Sequence, residues 1–109
     1  MDCCQLLLCT CPDSEVATTL AEGLVARKLA ACVNILPGIQ SVYVWEGKVQ
    51  RDAEVLLLIK SRRTVYAQIE AFIHQQHPYD VPELIALDIR KGLPQYLQWI
   101  EKSVPQISE

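Results

Sequence analysis

The chain has few of the features that mark fibrous, exported or membrane-spanning proteins. Four glycines and six prolines among 109 residues exclude collagen-like and low-complexity organisation. The longest purely aliphatic run, Val55–Ile59, has five residues, whereas a membrane-spanning helix needs ~20. Met1–Cys4 lacks the basic segment of an export signal. We therefore expect a cytoplasmic protein with no membrane partner.

Positive charge and enzyme signatures are also scarce. Ten Lys and Arg residues against 13 Asp and Glu give a formal net charge of -3, so we expect no nucleic-acid partner. There is no Walker loop, dinucleotide-binding fingerprint or HExxH motif. The Gly-rich phosphate loop that an acylphosphatase would need is absent from Cys9–Asp13. These absences favour a protein that is not an enzyme.

Cysteine, by contrast, is plentiful. Five cysteines are an odd number, and without an export signal they argue against a disulfide framework and for reduced thiols in a cytoplasm. Each cysteine is then core filler, metal ligand or nucleophile. Cys32 lies in an apolar run and is predicted to be buried. Cys3 and Cys4, at the terminus, could bind metal adventitiously.

The spacing of apolar residues predicts one α+β domain over residues 1–109. A central strand covers residues 4–9, and a helix begins within Cys11–Glu15 and runs to about Ala30. The remaining predicted elements are a hairpin over Cys32–Ser61 with a bend at Pro37–Gly38 and a turn at Glu46–Gly47, a helix over Thr64–Gln76, a strand over Leu84–Ile89 and a short helix from Leu93 to about Ile100. The order β-α-β-β-α-β-α predicts a ferredoxin-like antiparallel sheet with a C-terminal helix.

The predicted hairpin is too long for the body of the domain. Strands of about 14 residues reach roughly 45 Å, whereas a globule of this size is only about 33 Å across. Apolar side chains occupy both alternate faces of the tip: Val42, Tyr43, Val44 and Trp45. Because an exposed apolar ribbon is marginal in water, we expect a second subunit to cover these residues. The alternative is a hairpin that folds back on its own sheet.

Several blocks of the sequence resemble the CutA family of divalent-cation tolerance proteins. They are Cys9–Asp13, Ala30–Gly38, Ser41–Lys48, Leu57–Lys60, His77–Glu83 and Tyr96–Ile100. The resemblance implies a ferredoxin-like homotrimer held by strand pairing between subunits. It also implies tolerance to copper and other divalent metals, with no established enzymatic reaction. The sequence departs from the family pattern at Cys11, where a small residue is frequent, and at Gln76, where some relatives have His.

The sequence Cys9-Thr10-Cys11 is the most specific candidate for a chemical site in the chain. Residues i and i+2 of a strand point the same way, so the two thiols favour joint binding of a soft ion such as Cu(I) or Zn over a disulfide. The following helix start would lower their pKa. The alternative is that Cys9 fills the core.

The segment His77–Glu83 is a second candidate. Pro78 and Pro82 stiffen it, so His77 and Glu83 could join the thiols as ligands of copper or another divalent metal ion. The alternative is a rigid connector. We expect that no metal is required for the fold.

Two other functions stay open at this point. Lys60, Arg62 and Arg63, with Tyr79, could hold a small anionic molecule, as in a sensor resembling the PII signalling proteins, which share a trimer of ferredoxin-like subunits. The other alternative is a trimeric scaffold that anchors a partner protein. A solvated turn would equally explain the basic residues.

Overall fold

The computed structural model describes residues 3–105 and has the predicted order of helices and strands. Residues 1–2 and 106–109 of the predicted domain lie outside the described residues. The elements are β1 (Cys4–Cys11), α1 (Ser14–Ala26), β2 (Cys32–Trp45), β3 (Lys48–Arg62), a 3₁₀ turn (Arg63–Val65), α2 (Tyr66–Gln76), β4 (Ile85–Asp88) and α3 (Pro94–Ser103).

The four strands form one antiparallel sheet in the order β2-β3-β1-β4, which confirms the predicted α+β class. On one face, Leu7 and Cys9 of β1 lie opposite Ile59 and Leu57 of β3. These residues are fully buried in a core that also contains the apolar side chains of α1 and α2: Ala17, Leu20, Ala21, Leu24, Ile69 and Ile73. The helix-covered face therefore holds the main core.

The hairpin extends beyond this core. Residues 39–54, which we call the arm, pair only with each other, and the described chain reaches 44 Å along its longest axis. Val42, Val44 and Trp45 are each more than 60% exposed, so the hairpin does not fold back on its own sheet. The tip turns at Glu46 and Gly47, both with positive φ, as expected of the tight turns that suit the twist of a hairpin.

The bend predicted at Pro37–Gly38 is present as an irregularity in the β2–β3 pairing between Leu36 and Ile39. Gly38 has a φ of 82°, a conformation that glycine adopts without steric cost. The bend marks the point where the body of the sheet passes into the arm.

The first predicted helix is too long at its C-terminal end. α1 ends at Ala26 rather than near Ala30, because Lys28 takes a left-handed conformation with φ of 58°. The Lys28 N–H then donates to the Val25 carbonyl, and the Leu29 N–H donates to the Leu24 carbonyl. This is a Schellman ending, in which buried Leu24 and Leu29 supply the accompanying apolar pair.

Other boundaries differ by one to three residues. β1 continues to Cys11 instead of residue 9 because Thr10 and Cys11 pair with Leu56 and Val55. α2 begins at Tyr66 after the 3₁₀ turn, and β4 covers only Ile85–Asp88. The prediction that Cys32 is buried is wrong: it is half-buried because β2 is an edge strand.

Candidate metal centre

The end of β1 and the start of the α2–β4 connection bring together three groups that can bind a metal. Cys9 and Cys11 lie on the helix-covered face of β1 and are fully buried. His77 directly follows α2 and caps it by donating its N–H to the Ile73 carbonyl, and its ring is buried. The two Sγ atoms and a ring nitrogen of His77 all lie within 4.8 Å of one another. They form the one such cluster found within residues 3–105.

The two neighbouring thiols, whose Sγ atoms lie within 4.8 Å of each other, affect each other's acidity in opposite directions. The interaction with the Cys9 thiol lowers the pKa of Cys11, against the opposing effect of its burial. The same interaction, together with burial, raises the pKa of Cys9. Cys11 is thus the first of the two to become a thiolate, the form that binds metals, whereas the Cys9 thiol approaches the Thr10 carbonyl at 3.9 Å. Neither cysteine takes part in a disulfide.

Both ring nitrogens of His77 are already engaged. The Tyr79 N–H donates to Nδ1 at 3.1 Å, so Nε2 carries the proton and donates to the Thr10 carbonyl at 2.8 Å. The ring therefore fastens the connection between α2 and β4 to the end of β1. To become a metal ligand, His77 has to exchange one of these two bonds for the metal.

Glu83 and Tyr79 lie beside this group but make other contacts. Glu83 accepts a hydrogen bond from Thr10 Oγ1 at 3.5 Å, and Thr10 alternates with the two cysteines along β1. Tyr79 donates from its hydroxyl to Glu54 Oε2 at 2.8 Å; burial and this bond raise the pKa of Tyr79. The structure therefore brings Cys9, Cys11 and His77 together and leaves Glu83 outside the 4.8 Å group.

The basic residues proposed for anion binding contact three different parts of the molecule. Lys60 donates to the Asn34 side chain, and Arg62 donates from Nη1 to the Val104 carbonyl at 3.0 Å. Arg63 approaches Asp88, with 3.8 Å between Nε and Oδ1. Arg62 thereby holds the end of α3 against the sheet. These contacts do not favour the sensor alternative.

Glu54 is a residue of this region that the sequence analysis missed. It accepts hydrogen bonds from Ser41 at 2.6 Å and from Tyr79 at 2.8 Å, so it ties the base of the arm to the segment that follows α2. Its position opposite Ile39 depends on the irregularity at Pro37–Gly38, which reverses the alternation of β2. The sequence carries no separate signal for it.

Comparison with known proteins identifies the family. A family model described as "CutA1 divalent ion tolerance protein" matches residues 5–103. The chain belongs to this family. The divalent-cation tolerance protein CutA of Thermus thermophilus is 43% identical over 99 residues, which cover 91% of this chain and 96% of that protein. The resemblance to the CutA family noted in the sequence is thereby confirmed.

Plant members of the family are also similar. The chloroplastic protein CutA of Arabidopsis thaliana is 51% identical over 94 residues, covering 86% of this chain but 52% of that protein. The chain thus spans about half the length of this relative. The crystal structure of CutA1 from Oryza sativa superposes with a TM-score of 0.94 at 45% identity and covers 97% of each chain. The α+β architecture is therefore that of the family.

No helix between residues 3 and 105 is both long and apolar enough to cross a membrane.

Proposed function

We propose that this chain contributes to divalent-metal tolerance by binding copper, or another thiophilic metal ion, through the thiols of Cys9 and Cys11. The observation that carries the proposal is the buried group in which these two Sγ atoms and a His77 nitrogen lie within 4.8 Å of one another. Thiolate sulfur selects soft ions such as Cu(I) and Zn, and imidazole suits copper and zinc. The metal is cargo, and no catalytic step is part of the proposal.

The contacts around the group indicate how each residue takes part. Cys11, with its lowered pKa, supplies a thiolate, and binding displaces the proton that Cys9 holds. His77 joins as a third ligand through a ring nitrogen that offers a lone pair: Nδ1 can bind once it releases the Tyr79 N–H, whereas Nε2 would have to lose its proton as well as its bond to the Thr10 carbonyl. Glu83 supports the same end of β1 through the Thr10 hydroxyl. Because the thiols belong to a continuous apolar core, we expect the chain to fold without the metal.

The test is an anaerobic Cu(I) competition titration of the reduced protein against a calibrated chelator. We expect saturable binding that is lost in Cys9→Ser and in Cys11→Ser and weakened in His77→Ala. Cys32→Ser is the matched control, because it removes a half-buried thiol on another strand. Binding that is equally tight in Cys9→Ser, Cys11→Ser and the unmodified protein would contradict the proposal.

We also propose that the chain is a ferredoxin-like protomer of a homotrimer in which the arm contacts neighbouring subunits. The proposal is supported by an exposed apolar surface, whose contact with water is unfavourable. It consists of Val42, Tyr43, Val44 and Trp45. Pairing of the arm with another subunit would bury it.

Native mass spectrometry tests the assembly. We expect a trimeric mass at micromolar concentration and dissociation in Trp45→Asp. Val81→Asp places the same charge on a valine that is 89% exposed outside the arm, and it should leave the trimer intact. A monomeric mass for the unmodified protein would overturn the assembly without affecting the thiol site.

A reducing compartment, such as the cytoplasm, is the location we propose. All five cysteines are free, and buried thiols persist where glutathione and thioredoxin keep them reduced. Fractionation of cells that express the protein would test this location.

A further inference from the structure

A second pair of thiols lies at the opposite end of β1. The Sγ atoms of Cys3 and Cys4 are 2.6 Å apart, although adjacent residues within a strand point to opposite faces. They can meet because Cys3 precedes the first residue of β1 and is not bound by its alternation. Cys4 is buried and Cys3 is half-buried, so a reagent in solution can reach the pair through Cys3.

The backbone holds this pair in place. The Cys3 carbonyl accepts from the Arg63 N–H at 2.8 Å, and the Cys4 carbonyl accepts from the Ile89 N–H at 3.1 Å. The Cys4 thiol also approaches the Leu97 carbonyl of α3, at 3.8 Å. The two thiols are therefore fixed between β3, β4 and α3 and do not belong to a loose terminus.

Arg62 supplies positive charge at this place. It lies directly opposite Cys4 in the β1–β3 register and partly offsets the effects of burial and of the neighbouring Cys3 and Glu101, which raise the pKa of Cys4 to about 12. The Arg62 Nε is buried and has no hydrogen-bond partner among the described residues. A buried N–H donor without a partner is rare in folded proteins.

We propose that Cys3 and Cys4 form a second thiol site, which binds a soft, thiophilic centre able to take two sulfur ligands, such as trivalent arsenic. Five to seven strand residues separate it from Cys9 and Cys11, so the two sites are roughly 20 Å apart and do not share an ion. The proposal is independent of the function proposed for the Cys9–Cys11 group.

Phenylarsine oxide is the probe, and its reaction with two thiols balances without an oxidant. The two S–H bonds and the bond between arsenic and oxygen break, two As–S bonds form, and the oxygen leaves as water with both thiol protons. Arsenic stays trivalent. Since the second thiol binds intramolecularly, a neighbouring pair should hold the arsenical ~10²–10⁴ times more tightly than one thiol does.

The experiment is titration of the reduced protein with phenylarsine oxide, followed by intact-mass measurement and peptide mapping of the adduct. We expect a tight adduct on Cys3 and Cys4, weakened about 100-fold or more in Cys3→Ser and unchanged in Cys32→Ser. The adduct should persist in the Cys9→Ser and Cys11→Ser double variant. If that variant does not fold, peptide mapping of the unmodified protein decides.

Two results would overturn the second site. One is unchanged affinity in Cys3→Ser, which would mean that a single thiol or another pair holds the arsenical. The other is an adduct that maps only to Cys9 and Cys11. Because the Cu(I) titration depends on different cysteines, failure of either experiment leaves the other interpretable.

Discussion

The two halves of β3 show how differently one strand can be used. Leu57 and Ile59 lie in the half that α1 and α2 cover, and both are fully buried; Val49 lies in the arm and is 74% exposed. All three residues are aliphatic and belong to the same strand. The difference is the helical layer, which covers only the part of the sheet that includes β1. Apolar residues in the body stabilise this chain, whereas those in the arm can do so only through another chain.

Truncation of a core side chain should have the largest effect on the free energy of unfolding. It should also distinguish the body, where side chains are buried, from the arm, where they are exposed. We expect Leu57→Ala to lower the free energy of unfolding by ~2–5 kcal/mol, because it leaves a cavity in the core. Val44→Ala in the arm should change it by less than ~0.5 kcal/mol in the dissociated protomer. Urea unfolding at a protein concentration below assembly measures both. Similar losses in the two variants would mean that the arm is packed against its own chain.

The thiol pair should make the stability of the body depend on pH in the metal-free protein. The pKa of Cys11 is lowered from its ordinary value of 9.0, so the folded chain loses that proton first and stability rises with pH up to about 9.0. The pKa of Cys9 is raised, so above about 9.0 the unfolded chain loses a proton that the folded chain keeps, and stability falls.

The thiol pair thus contributes a maximum in the free energy of unfolding near the ordinary thiol pKa. On either side of this maximum, its contribution changes by at most ~1.4 kcal/mol per pH unit. Urea unfolding from about pH 7 to about pH 10.5 would show it. The reference is the Cys9→Ser and Cys11→Ser double variant, whose curve is subtracted to remove the other titrating groups. A difference curve that is flat, or that falls throughout, would contradict the opposite pKa shifts of the two thiols.

The hydrogen bond between Tyr79 and Glu54, which joins the segment after α2 to the base of the arm, should have the smallest effect on stability among the bonds and side chains that pack the body. Tyr79→Phe removes the hydroxyl that donates to Glu54, and we expect it to lower the free energy of unfolding by ~0.5–1.5 kcal/mol. Hydrogen exchange of the backbone amides that follow α2 should also become faster. Tyr43→Phe is the control, because Tyr43 bonds Asp52 within the arm. Equally faster hydrogen exchange in both variants would mean that the bond between Tyr79 and Glu54 does not stabilise the segment that follows α2.

Much of the fold could be predicted because local pattern and tertiary structure agree. The helical spacing of Val65, Ile69 and Ile73 and the turn residues Glu46–Gly47 required no knowledge of distant contacts. The end of α1 could not be predicted in the same way. A left-handed C-terminal residue is usually Gly, and here Lys28 takes that place, so the sequence carries no stop signal at Ala26.

The candidate site was only partly predictable. Alternation along a strand places Cys9 and Cys11 side by side, and the structure agrees. The position of His77 depends on a bond to the Thr10 carbonyl, 67 residues earlier in the chain, and on an amide two residues later that occupies its second nitrogen. Such backbone partners have no side-chain signature, so the sequence could suggest His77 as a ligand but could not reveal that both ring nitrogens are already hydrogen-bonded.

The irregularity at Pro37–Gly38 also affects the tendency of the chain to aggregate at high concentration. β2 is a long edge strand, and its outer backbone groups could template growth of a cross-β aggregate. Pro37 has no N–H to donate, and the break between Leu36 and Ile39 divides the edge into two shorter stretches. A foreign strand that adds to one stretch is therefore interrupted before it reaches the other, which opposes fibril growth along this edge.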